Sequence, residues 1–151
     1  MQKLSKKNYT KIGILGGTFD PPHKGHLHIS KIALKKLKLN KLIWIVTKKN
    51  PLKRKPYLST KVRIALSQKI TKKEKKIFVR YYDDKIKSIN TFNLLNYIKK
   101  KNKKTKLFFL IGADNLVKFH NLRLSAANKK IYNPKEIYTE LINISNFTFF
   151  S

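Results

Sequence analysis

Short apolar runs alternate along the chain with longer stretches in which apolar residues recur every three to four positions. Four of the runs have the composition of buried β-strands: residues 11–16, 41–47, 77–81 and 107–111. Three stretches between them have the spacing of amphipathic helices: residues 27–39, 59–70 and 90–100. Ser59 or Thr60 is the expected cap of the second helix, and a further short helix is expected from Asn115. Because strands that alternate with helices form parallel sheets, the pattern predicts an α/β fold with a doubly wound parallel sheet.

The loops after the first, second and fourth predicted strands carry the candidate functional residues. Residues 16–26, 47–58 and 112–115 all follow the carboxyl end of a strand. Ligands of doubly wound sheets bind outside that edge. We therefore expect these three loops to form one site.

The loop after the first strand has the sequence GGTFDPPHKGH, from Gly16 to His26. Its two leading glycines allow a nucleotide to approach the backbone, and Thr18 can hold a phosphate through its hydroxyl or its N–H. The helix that follows offers backbone N–H groups to a phosphate. His23 and His26 can donate hydrogen bonds to a phosphate in a transition state, whereas the alternative for each is a helix cap or a core position. These features predict an enzyme that binds a nucleotide and acts on a phosphate.

This loop also resembles a family signature. GGTFDPPHKGH is similar to the first signature of the nucleotidylyltransferase superfamily, and in this form it most resembles bacterial nicotinate-nucleotide adenylyltransferases. Asn50–Lys53, Arg63 and Ile111–Leu116 also resemble family positions, and the resemblance covers about residues 11–120. It implies a Rossmann-like doubly wound sheet of the nucleotidylyltransferase type. It further implies transfer of AMP from ATP to nicotinate mononucleotide, with release of pyrophosphate, in NAD synthesis, and Mg²⁺ accompanying the ATP.

The resemblance also implies roles for individual residues. The catalytic residues would be His23 and His26. The nucleotide-binding residues would be Gly16, Gly17, Thr18, Phe19, Gly25 and Asp114. The substrate-binding residues would be Lys53, Arg63, Ser88 and Thr91. No residue is assigned as a metal ligand.

Several of these positions have a structural alternative. Asp114 can cap the helix that follows it, and Arg63 can lie on a solvent-exposed helix face. Lys24 either assists the phosphates or is one more surface lysine. Asp20 is expected to stabilise the Pro21–Pro22 turn and not to contact the ligand.

The sequence departs from the family pattern at two places. The acceptor-side signature is altered in residues 87–92, which keep Ser88 and Thr91 but have Lys87 where the family has a tyrosine. Residues 121–151 lack the second phosphate-binding signature, an Ile-Ser-Ser-Thr segment followed by an arginine. We therefore expect a nucleotidylyltransferase core over residues 1–120 and a truncated or altered tail over 121–151, or else a genuine short variant. Because the second phosphate signature is missing, we expect the chain to bind ATP weakly and to catalyse poorly or not at all.

Composition narrows the function further. The 151 residues suit one domain, there is no cysteine for disulfides, and no apolar run reaches a membrane span of about 20 residues. The formal net charge is +29, but nearly all of it is lysine, as in proteins of AT-rich genomes. We expect this charge to attract ATP and not to bind a specific nucleic acid, and we expect a cytoplasmic protein. The oligomeric state is not predicted.

Two other functions remain open from the sequence. One is a different adenylyl- or cytidylyltransferase of the same superfamily, with another acceptor. The other is a catalytically inactive remnant that binds ATP, because the second phosphate signature is missing.

Overall fold

A computed structural model describes residues 9–49, 54–86, 91–102 and 104–110. The elements in these ranges, in chain order, are β1 (Thr10–Gly17), α1 (Lys24–Lys36), β2 (Lys41–Val46), α2 (Thr60–Thr71), β3 (Ile77–Arg80), α3 (Asp83–Ile86), α4 (Thr91–Lys101) and β4 (Thr105–Leu110). The strands pair in parallel in the order β3-β2-β1-β4. The predicted α/β fold with a parallel sheet is confirmed.

The two faces of the sheet bury different side chains. Along β2, Leu42, Trp44 and Val46 belong to the core packed against α1 and α2. Ile43 and Ile45 belong to the core on the other side, packed against α4. This alternation follows from the two-residue period of a strand, and all five side chains are apolar because helices cover both faces. The sheet is therefore doubly wound, as predicted.

Three elements differ from the prediction. Helix α1 begins at Lys24 and not at residue 27, because His23 caps it. Strand β4 begins at Thr105, and α3, a single turn, was not predicted because four residues are too few to show a helical period. Ser59 caps α2 as expected, with its side chain accepting a hydrogen bond from the amide of Val62 at 3.3 Å.

Several predictions lie outside the described residues. These are the loop over 112–115, the helix expected from Asn115 and the domain boundary at residue 120. None of the helices in the described ranges is long and apolar enough to span a membrane.

The topology brings the loops after β1, β2 and β3 to one edge. Gly17 at the end of β1 pairs with Val46 at the end of β2, and Ile45 pairs with Arg80 at the end of β3. The three strands therefore end side by side.

Candidate active site

The two histidines form a capping box at the start of α1. Nδ1 of His23 accepts a hydrogen bond from the amide of Gly25 at 3.2 Å. In return, Nδ1 of His26 accepts one from the amide of His23 at 3.2 Å. Such boxes are usually made by Ser or Thr with Glu or Gln. The two ring centroids lie 3.9 Å apart, so the box holds both imidazoles together at the helix N-terminus.

The capping bonds determine where each neutral ring carries its proton. A neutral imidazole accepts a hydrogen bond at one nitrogen and donates at the other. Because Nδ1 accepts in both His23 and His26, Nε2 carries the N–H in both. The first turn of α1 contains no acidic residue, and the helix N-terminus adds partial positive charge. This end of α1 is thus suited to a phosphate.

The Phe19 ring packs against the ring of His26. Its ring centroid lies 4.9 Å from that of His26, and it stacks on Trp44 at 4.9 Å with an interplanar angle of 12°. Phe19 adopts a left-handed backbone conformation, with φ of 51°, which few non-glycine residues do. Phe19 is among the predicted nucleotide-binding residues, but it is only 2% exposed. Only its backbone is left to contact a nucleotide.

A buried hydrogen-bond chain also reaches His26. The hydroxyl of Ser30 donates to the carbonyl of His26 at 2.7 Å and accepts from Nε1 of Trp44 at 2.7 Å. Both Ser30 and Trp44 are fully buried. Neither of these two supporting residues was predicted from the sequence. The available signal was a tryptophan within a buried strand, since a buried indole N–H requires a partner.

Gly25 leaves room for the first histidine. A Cβ at this position would lie 2.9 Å from Nδ1 and from Cε1 of His23. The same atom would make ordinary contacts at Gly16 and Gly17, where it would lie 3.4 Å from Phe109 and 3.6 Å from Phe19. Any larger side chain at residue 25 would therefore displace the His23 ring.

Asp20 joins the loop after β1 to the segment before α2. Its carboxylate accepts hydrogen bonds from the amides of Tyr57 and Leu58, the latter at 2.9 Å. The Leu58 bond, then the Tyr57 bond and the nearby Arg63 charge, lower the pKa of Asp20 despite partial desolvation. The expected structural role is thus present, but its partners lie in a different loop and not in the Pro21–Pro22 turn.

Arg63 lies inside the protein. It is 1% exposed, so the alternative of a solvent-exposed helix face is wrong. Burial lowers the pKa of its guanidinium, which nearby carboxylates oppose. An arginine has five N–H donors, and here each has an acceptor. The acceptors are the carbonyls of Leu58, Thr18, Thr47 and Lys48 and the hydroxyl of Thr60. The predicted contact with a substrate phosphate would therefore have to displace one of these bonds.

The start of α3 holds the loop after β2. The carboxylate of Asp83 accepts a hydrogen bond from the Lys48 amide at 2.6 Å, and burial raises its pKa against that bond. Asp84 is exposed and contacts the Lys48 ammonium at 3.1 Å and the Tyr81 hydroxyl at 3.0 Å. The Lys48 bond, followed by the Tyr81 bond, lowers the pKa of Asp84.

The remaining predicted site residues lie mostly beyond what the structure describes. Lys53, Ser88 and Asp114 fall outside the described ranges, and Thr91 is placed only as the first residue of α4. Thr18 is half-buried in the loop between β1 and α1. Within the described ranges, no three His, Cys, Asp or Glu side chains form a group that could hold a metal ion.

The chain is similar to known proteins of one family. A family model described as cytidylyltransferase-like matches residues 14–148. The chain is 51% identical over 111 residues to a probable nicotinate-nucleotide adenylyltransferase of Pelagibacter ubique, covering 74% of this chain and 61% of that protein. It is 40% identical over 107 residues to one of Aliarcobacter butzleri, covering 70% and 59%. The chain thus spans about three-fifths of the length of these curated relatives. The resemblance found in the sequence is confirmed.

Solved structures share the fold. A putative nicotinate-nucleotide adenylyltransferase from Vibrio parahaemolyticus superposes with a TM-score of 0.64 at 20% identity, covering 89% of this chain and 88% of that one. The Plasmodium falciparum nicotinic acid mononucleotide adenylyltransferase complexed with NaAD gives 0.59 at 20% identity, covering 73% and 55%. At this identity the likeness concerns the fold alone.

Proposed function

We propose that this chain, which belongs to the cytidylyltransferase-like family, transfers the adenylyl group of ATP to nicotinate mononucleotide. The products are nicotinate adenine dinucleotide and pyrophosphate. The names of the relatives support this choice of substrates. The observation that carries the proposal is the capping box of His23 and His26, which fixes two imidazole N–H donors at a helix N-terminus.

The reaction requires positioning and charge stabilisation more than covalent chemistry. A phosphate oxygen of nicotinate mononucleotide attacks the α-phosphorus of ATP, and the bond from that phosphorus to the pyrophosphate oxygen breaks. We propose that Nε2–H of His23 and of His26 donates to oxygens of the α-phosphate, where charge builds up in the transition state. The amides and the hydroxyl of Gly16–Thr18 would hold the nucleotide beside them. No protein nucleophile is needed.

The supporting contacts fit a role that demands a fixed ring orientation. Each imidazole is held at Nδ1 by a backbone amide. His26 in addition lies on the Phe19 ring, and its carbonyl is bonded to Ser30. A donor that is already oriented stabilises developing charge without further reorganisation.

We propose that Mg²⁺ enters with ATP and is held by its phosphates and by water. Asp20 is the carboxylate closest along the chain to the histidines, and both of its oxygens already accept backbone N–H groups. The described part of the chain therefore suits a metal that the substrate brings, and the ion would neutralise phosphate charge there. Asp114 stays a predicted nucleotide ligand, and Lys53, Ser88 and Thr91 stay predicted acceptor ligands. We also propose a cytoplasmic location and no specific nucleic-acid partner.

The test is pyrophosphate release from ATP and nicotinate mononucleotide at high enzyme concentration, with each substrate omitted in turn as a control. The matched variant is His26→Gln. Glutamine at this helix position keeps the reciprocal capping bond through Oε1 but loses the ring that fixes an N–H at Nε2, and its flexible amide N–H is not held in that place. We expect ATP affinity to be kept and kcat to fall by about 10²–10³-fold.

Other outcomes distinguish the alternatives. Release with CTP in place of ATP, or only with another acceptor, would assign the chain to a different transferase of the family. ATP binding without transfer to any acceptor would leave the inactive remnant. A His26→Gln variant with unchanged kcat would contradict the assigned role of the second histidine.

A further inference from the structure

We propose that Arg63 is a positioning residue that sets the spacing between the loop after β1, which would hold ATP, and the loop after β2, which would hold the acceptor. The proposal rests on the function proposed above, because the two loops matter only if each holds one substrate. It replaces the direct phosphate contact that the family resemblance implies for this residue.

The guanidinium joins three segments that are distant in sequence. Nη1 donates to the carbonyls of Thr18, in the loop after β1, and of Thr47, in the loop after β2, the latter at 2.8 Å. Nη2 donates to the carbonyl of Lys48 at 3.1 Å. Arg63 itself belongs to α2, so one side chain fixes both loops relative to a helix.

The remaining two donors fix the segment that leads into α2. Nε donates to the Leu58 carbonyl at 3.0 Å, and Nη2 also donates to the Thr60 hydroxyl at 3.0 Å. Asp20, in the loop after β1, holds the same segment, because its carboxylate accepts hydrogen bonds from the amides of Tyr57 and Leu58. We call this connection between Asp20 and residues 57–58 the junction. A network that is fully paired and buried is rigid, which is the property a spacer needs.

This geometry requires the planar five-donor fork of arginine. A lysine ammonium has three donors on a flexible stem and cannot reach five acceptors in a plane. A phosphate ligand, in contrast, mainly needs positive charge, which lysine keeps. The response to Arg63→Lys therefore separates the two roles.

The experiment compares Arg63→Lys, Arg63→Gln and the control Lys69→Gln, which removes an exposed cation from the same helix. Each is assayed well below its melting temperature for kcat and for KM of both substrates. For a spacer, we expect kcat to fall about 10²-fold in Arg63→Lys and by a similar factor in Arg63→Gln, since misplacement by about 1 Å has this effect. Both KM values should change less than kcat, and Lys69→Gln should match the parent chain.

A milder pair covers the case in which the Arg63 variants do not fold. Thr60→Val removes one acceptor of the guanidinium, whereas Thr60→Ser keeps it. We expect a lower kcat for the valine variant than for the serine variant at equal folded concentration.

A second readout does not depend on turnover. Amide exchange at Tyr57 and Leu58 reports whether the junction opens, since both amides are bonded to Asp20. We expect exchange at least about tenfold faster in Thr60→Val than in Thr60→Ser, because opening of a local network controls it. If the parent chain shows no transfer, the proposed function fails while this readout still tests the junction.

Three results would overturn the positioning role. One is a selective rise in the KM for nicotinate mononucleotide in Arg63→Gln, recovered in Arg63→Lys, which would indicate a phosphate ligand. Another is a lower melting temperature with kcat unchanged, which would indicate a purely structural residue. The third is unchanged amide exchange in Thr60→Val.

Discussion

Replacement of His23 by alanine and by asparagine separates the capping role that its imidazole has in this structure from the catalytic role proposed for it. The ring caps α1 through its bond from the Gly25 amide. In the proposed reaction it would also present Nε2–H to the α-phosphate. Alanine removes both functions. Asparagine is among the best N-cap residues, so it restores the cap but has no donor in the place of Nε2.

The two effects differ enough in size to be told apart. Loss of the cap costs about 1 kcal/mol, in a range of about 0.5–2, which lowers the melting temperature of a chain of this size by about 2–4 °C. A folded protein with about 5–15 kcal/mol of stability remains almost fully folded after that loss. Loss of one oriented donor to the transition state lowers kcat by about 10²–10³-fold, which corresponds to about 2.7–4 kcal/mol. Capping alone therefore cannot account for the expected loss of rate.

The assay combines thermal unfolding, kcat and ATP affinity for the parent chain and both variants. Trp44 is the only tryptophan, and its ring lies 5.9 Å from that of His26, so its fluorescence reports on the site. We expect His23→Asn to recover the melting temperature of the parent but not its kcat. Recovery of kcat to within a few-fold by asparagine would show that His23 serves only as a cap and would contradict its proposed role as a phosphate donor.

Three further predictions concern the supports of the site. Gly25→Ala should lower kcat at least about tenfold, because its Cβ would lie 2.9 Å from the His23 ring, while alanine's helix propensity limits the loss of stability. Ser30→Ala should destabilise the fold by about 1–3 kcal/mol, measured by denaturant unfolding, because it leaves the Trp44 indole N–H unpaired. The control repeats Ser30→Ala in a Trp44→Phe background, which has no indole N–H. An equal loss of stability in that background would contradict this cause. Burial raises the pKa of Asp83, so the folded chain binds its proton more tightly than the unfolded chain does. The free energy of unfolding should therefore fall as pH rises just above the ordinary aspartate range, and Asp83→Asn should remove that contribution to the slope.

The strands could be predicted because a strand that is buried on both faces has apolar side chains at successive positions. All side chains of β2 from Leu42 to Val46 are apolar and buried, so a continuous apolar run identifies the strand. The site edge followed from topology, since parallel strands end on the same side. The first residue of α1 was harder to predict, because histidine is not a usual cap and its partner at His26 is recognisable only in three dimensions.

The environment of Arg63 could not be predicted from the sequence. Its acceptors are mostly backbone carbonyls. Because every residue has a backbone carbonyl, the residue types do not indicate which carbonyls accept these bonds. One of them belongs to Thr18, 45 positions earlier in the chain. Helical periodicity placed the residue correctly within α2 but could not decide whether its side chain faced solvent, substrate or the interior.

The cap and the proposed donor are compatible functions of one imidazole. For His23, a helix cap and a catalytic donor are competing interpretations as long as only the spacing is known. In the structure, the capping bond at Nδ1 is what places the proton on Nε2. A serine or aspartate at this position would cap α1 as well but would offer no second polar atom on the far side of a ring. The same bond that begins the helix therefore prepares the donor, and a variant that keeps one function without the other is the direct way to test whether both are used.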